Sequence, residues 1–81
     1  MLSILIPTYN YDITQLVKDL YAQAEGLGVQ YEIIVMEDGS DQFLVANQQI
    51  GLLNHCRYIA LPDNIGRSAI RNRLADEAQF P

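Results

Sequence analysis

Two carboxylates, a glycine and a serine stand together at Glu37-Asp38-Gly39-Ser40, directly after the unbroken apolar run Ile33 to Met36. A short run of that kind suits a strand buried on both faces of a parallel sheet. In open α/β sheets ligands sit just beyond the carboxyl ends of the strands, so Glu37 and Asp38 are placed to meet a polar ligand. A carboxylate there accepts hydrogen bonds from a base imide or a ribose hydroxyl. Asp38-Gly39-Ser40 also reads, taken alone, as a turn with a helix cap. Thr8 and Tyr9 fall after another apolar stretch, Leu2 to Ile6, and so belong beside the same strand tips. A tyrosine there can stack on a base and a threonine can bond its edge. Arg67 and Arg71 are four apart and share a helix face, where they can neutralise a diphosphate or pair with Glu37 and Asp38. Together these residues point to nucleotide binding, although each also has a plain reading as loop aromatic, turn aspartate or solvated arginine.

Other chemistries fit less well. No glycine-rich loop follows a strand in the manner of a phosphate cradle, since Gly26 and Gly28 follow a helical stretch. His55 is the lone histidine and reads as a surface or capping residue. Ser40 has no histidine with a defined place beside it, which argues against a nucleophile. Cys56, the lone cysteine, excludes an internal disulfide and an all-cysteine metal site, and reads as a small buried hydrophobe.

The elements that must position these residues alternate along the chain. Leu2 to Ile6 reads as a strand ended by Pro7, with Thr8 to Tyr11 as the loop beyond it. Ile13, Leu16, Val17, Leu20 and Ala24 form one helical stripe, capped by Asp12 or Thr14 and ended by Gly26 and Gly28. Tyr31 to Glu37 is the second strand. Ser40 or Asp41 caps a weaker helix through about Leu53, with Phe43, Leu44, Ile50 and Leu53 as its apolar side. Arg57 to Leu61 is the third strand, closed by Pro62. A third helix runs from Arg67 to Gln79, burying Ile70, Leu74, Ala75 and Ala78, with Phe80-Pro81 after it. Tyr21 and Tyr58 are expected in the core. The order β-α-β-α-β-α predicts parallel strands with right-handed crossovers in an α/β fold. Three strands make a thin sheet, so residues 1–81 read as one incomplete domain, with the first strand as an unpaired edge open to a homodimer.

Composition narrows the partners. Hydrophobic residues at 49% and charged residues at 19% provide a packed core and argue against disorder. A net charge of −5 argues against nucleic acid and anionic membranes as partners. Arg57, Arg67, Arg71 and Arg73 nonetheless gather in the last third, where a local anion site fits. No apolar stretch approaches the roughly 18 residues of a membrane span, and the amino terminus lacks the pattern of a signal peptide. The expected compartment is the cytoplasm.

Three linked motifs carry a family resemblance. Ser3-Ile4-Leu5-Ile6-Pro7-Thr8-Tyr9-Asn10 opens the chain, and Glu32-Ile33-Ile34-Val35-Met36-Glu37-Asp38-Gly39-Ser40-Asp41 follows at the second strand. Asn64-Ile65-Gly66-Arg67-Ser68-Ala69-Ile70-Arg71-Asn72 stands at the start of the third helix, and Gln23 falls near the end of the first. In this order and spacing the chain resembles the family 2 glycosyltransferases. That resemblance implies a Rossmann-like GT-A fold with three layers, here its amino-terminal nucleotide-sugar-binding part. It implies a base pocket lined by Pro7, Thr8 and Tyr9, a base- or ribose-binding Asp38, and Arg71 near the phosphates. The expected donor is a UDP-sugar and the acceptor a hydroxyl of unknown identity. Glu37 stands where the family's first aspartate is usual, and Ile70 where alanine is commoner. The family's D-x-D motif, which holds magnesium or manganese on the diphosphate, and its general base fall outside these residues. The expected metal therefore belongs to a longer enzyme, and these 81 residues alone are expected not to transfer sugar. A receiver-like signalling module is the alternative. It requires acidic residues after the first strand and a later lysine, whereas Pro7-Thr8-Tyr9 stands there and Lys18 is the one lysine.

Overall fold

A computed structural model describes residues 1–80, and Pro81 lies outside the described residues. Three strands form one parallel sheet in the order β1-β2-β3: β1 (Leu2–Thr8), β2 (Tyr31–Asp38) and β3 (Cys56–Leu61). The helices α1 (Thr14–Leu27), α2 (Leu44–Gln48) and α3 (Arg67–Glu77) alternate with them, and a 3₁₀ turn over Gln49–Leu52 extends α2. This is an open Rossmann-like α/β sheet with interleaved helices. β2 is central and buried throughout. Its alternating side chains divide the core between two faces, as the period of two requires. Ile33 and Val35 pack with Ile13, Val17, Ala24 and Ile50 under α1 and α2. Ile34 and Met36 pack with Ile70 and Leu74 of α3 on the opposite face.

The register aligns the strand tips. Thr8 lies opposite Glu37, and Asp38 lies opposite Leu61. Pro7 was expected to end the first strand, yet β1 continues through Thr8. β1 is paired on one side only, so the missing N–H of Pro7 breaks no necessary ladder bond.

Four further expectations are corrected. The second helix begins at Leu44 rather than at a Ser40 or Asp41 cap, and it shrinks to little more than one turn. The Ser40 hydroxyl donates to Glu37 instead, the Asp41 and Gln42 amides donate to Asn10, and Phe43 takes a left-handed conformation at φ 64°. The third helix stops at Glu77, because the amides of Gln79 and Phe80 leave the helical ladder for the Glu32 carboxylate. Leu16 and Ala75 face outward rather than into the core. Gly26 lies inside α1, and Gly28 alone makes the left-handed stop at φ 68°. At the start of α1, Asp12 accepts from both the amide and the hydroxyl of Thr14, at 3.0 and 2.6 Å. The Thr14 hydroxyl and amide hold the Asp12 carboxyl below its ordinary range. No helix among the described residues is long and apolar enough to cross a membrane.

Candidate functional site

The carboxyl ends of β1 and β2 and the loop after β3 enclose an open cleft of about 390 Å³. Pro7, Thr8 and Tyr9 form one wall, Asp38 the floor, and Asn64, Gly66, Arg67 and Ile70 the other wall. Thr8 and Asp38 are buried, whereas the Tyr9 ring is 56% exposed and free to meet a ligand. The Asp38 carboxylate, which can accept hydrogen bonds, thus lies beneath an exposed aromatic side chain, with Thr8 at the strand tip beside it.

Asp38 is held from behind. Its Oδ1 accepts from the Ile65 amide at 2.6 Å and its Oδ2 from the Gly66 amide at 3.2 Å. Asn64 Nδ2 donates to the Asp38 carbonyl at 3.0 Å. A carboxylate has about four lone-pair positions, so two amide bonds leave acceptor capacity toward the cleft. The loop after β3 can approach this closely because of Gly39. Gly39 sits at φ 70°, and a Cβ there would come within 2.6 Å of the Asp63 carbonyl carbon. Gly66 at φ 90° turns the chain into α3 with its amide aimed at Asp38.

Glu37 does not line the cleft. It is fully buried on the α2 face of the sheet, and its two oxygens are occupied. Oε1 accepts from the Ser40 hydroxyl at 2.6 Å. Oε2 accepts from Asn47 Nδ2 at 2.9 Å and from the Tyr58 hydroxyl at 2.7 Å. Burial, and then the bond to Glu37, push the Tyr58 hydroxyl well above its ordinary pKa of 10.0. This network also fixes the loop that carries Tyr9. The Asn10 amide donates to Ser40, and Asn10 Oδ1 accepts from Asp41 and Gln42. Asn47 donates to the Tyr11 carbonyl and accepts from the Ile13 amide. Among the described residues no buried side-chain nitrogen or oxygen lacks a partner.

The arginines separate. Arg67 lines the cleft with Tyr9 and Asp38, while Arg71 lines a neighbouring groove of about 530 Å³ with Leu5, Ser68 and Asn72. Pro7 borders both. Neither arginine pairs with Glu37 or Asp38. The ion pairs among the described residues join Arg57 to Glu32 and Glu77 at the far end of the sheet. Sequence reasoning missed Asn10 and Asn47. Asn47 carried a legible signal, because it falls at a helical interval between Leu44 and Ile50 on the inward side, where an amide needs partners.

Among the described residues, no group of three histidine, cysteine, aspartate or glutamate side chains converges as a metal site. No curated protein matches the chain. The model of glycosyl transferase family 2 matches residues 3–80, and so takes in all three strands, the cleft and both arginines. The match covers nearly the whole of the chain, which therefore belongs to glycosyl transferase family 2.

Proposed function

We propose that these residues bind the nucleotide of a nucleotide-sugar donor, with a UDP-sugar as the donor class and an acceptor hydroxyl as the eventual target. The observation that carries this reading is the convergence of Thr8, Tyr9 and Asp38 on one cleft at the strand tips. A uracil ring stacks on Tyr9 in this reading, while Thr8 borders the ring at the strand tip and the free lone pairs of Asp38 meet its edge or the ribose. Pro7 supplies a rigid apolar border, and Arg71 remains a phosphate candidate from the adjoining groove. Glu37 acts behind the site, keeping the Tyr9 loop in place through Ser40 and Asn47.

The magnesium or manganese of the family is proposed to be held by other residues, where it would neutralise the leaving diphosphate. The receiver-like alternative draws no support from the end of β1, where Pro7, Thr8 and Tyr9 stand in place of acidic residues.

Calorimetric titration of UDP into the protein and into Asp38→Ala tests the reading. Binding by the unaltered chain that weakens at least tenfold in the variant supports it, since that loss corresponds to about 1.4 kcal/mol, one good hydrogen bond. Equal affinity in the two proteins refutes it.

A further inference from the structure

The cleft carries a charge asymmetry that its ligand must respect. Its floor is the buried carboxylate of Asp38, which repels a phosphate brought close to it. Arg67 is the one cation among the described residues that line the cleft. Arg57 is bound to Glu77 at 3.1 Å, and Arg71 faces the adjoining groove. Asp38 accepts from the Ile65 and Gly66 amides and forms no ion pair with Arg67, and no other carboxylate among the described residues pairs with the guanidinium. Arg67 is exposed and begins α3, so its side chain is available to a ligand without breaking an ion pair among the described residues.

We infer that Arg67 is the phosphate-side contact of the nucleotide in this cleft and sets its polarity, with base and ribose toward Tyr9 and Asp38 and the diphosphate toward α3. This assignment rests on the nucleotide reading of the site. A guanidinium presents paired N–H donors that match phosphate oxygens, and its bonds to an anion are stronger than those between neutral groups. In a chain of net charge −5, such a local cation is what lets an anionic ligand approach a carboxylate-floored site.

The test compares UDP with uridine, which shares the base and ribose but has no phosphate. Dissociation constants for both are measured by amide chemical-shift titration on the unaltered protein, Arg67→Ala, Arg67→Lys and Arg71→Ala. The preference for UDP over uridine falls about tenfold in Arg67→Ala, the loss of one charge-assisted contact, and is partly restored in Arg67→Lys. It falls less in Arg71→Ala. An unchanged UDP-to-uridine ratio in Arg67→Ala, with uridine still bound, overturns the Arg67 assignment alone. A larger fall in Arg71→Ala than in Arg67→Ala overturns it as well. Failure of the unaltered protein to bind either ligand overturns the nucleotide reading and the assignment with it.

Discussion

Asn47→Ala should be among the most destabilising single substitutions in this protein, although Asn47 lies outside the cleft. Its side chain makes three buried or partly buried hydrogen bonds, to Glu37 Oε2, the Tyr11 carbonyl and the Ile13 amide. Truncation orphans the Ile13 N–H, which is buried, and removes one of the three donors to a buried carboxylate. The Tyr11 carbonyl is on an exposed residue and can turn to water. An orphaned buried donor costs about 1–3 kcal/mol and a lost bond to a charged group about 1.5–3, so the expected loss is about 2.5–6 kcal/mol. A domain of this size has about 4–12 kcal/mol of stability in all, so the variant should lose a large part of it. Tyr58→Phe removes one donor to Glu37 and keeps the ring, so it should cost about 1.5–3 kcal/mol. Urea unfolding followed by circular dichroism at pH 7 measures both. A cost below about 1 kcal/mol for Asn47→Ala, or a larger cost for Tyr58→Phe, would refute the reasoning.

Gly39→Ala should cost about 2–5 kcal/mol, combining left-handed strain with overlap against the Asp63–Asn64 backbone, and should weaken UDP binding by displacing that loop. A near-neutral unfolding curve would show that the two loops do not touch as described. Burial raises the Glu32 pKa, but the Ser3 hydroxyl, the Gln79 and Phe80 amides and the Arg57 charge outweigh it, and the net shift is downward from 4.5. A lowered folded-state pKa means that this contribution is present above about pH 4.5 and is lost as pH falls through the folded value. Glu32→Gln should therefore be less stable than the unaltered protein at pH 7, with the gap narrowing in acid; a gap that widens in acid would contradict the sign. The unpaired apolar edge of β1 should support self-association, seen by light scattering as a mass that rises with concentration, whereas a constant monomer mass would count against it.

The fold was largely legible because each strand is announced by a short apolar run and each helix by a stripe at helical spacing. Ile33 to Met36 illustrates why, since a run apolar on every residue fits a central strand covered on both faces. What escaped was long-range. Ser40 and Asp41 have the chemistry of helix caps, but tertiary bonds to Glu37 and Asn10 claim them first. The third helix has no local stop signal before Phe80-Pro81, and its end is set by Glu32, 47 residues earlier in the chain. At the site, Thr8, Tyr9 and Asp38 were legible because strand ends converge in a parallel sheet. The division of Arg67 from Arg71 was not, because four residues along a helix still separate two side chains by one turn, enough to send them to different cavities.

The account stands or falls on whether a nucleotide occupies the cleft between β1, β2 and the start of α3. Titrating UDP into uniformly labelled protein and mapping the amide shifts tests this residue by residue. Shifts should concentrate at Thr8, Tyr9, Asp38, Gly66 and Arg67, and leave Glu32, His55 and Gln79 at the opposite end of the sheet in place. Shifts confined to that opposite end, or spread evenly over the chain, would contradict the central claim.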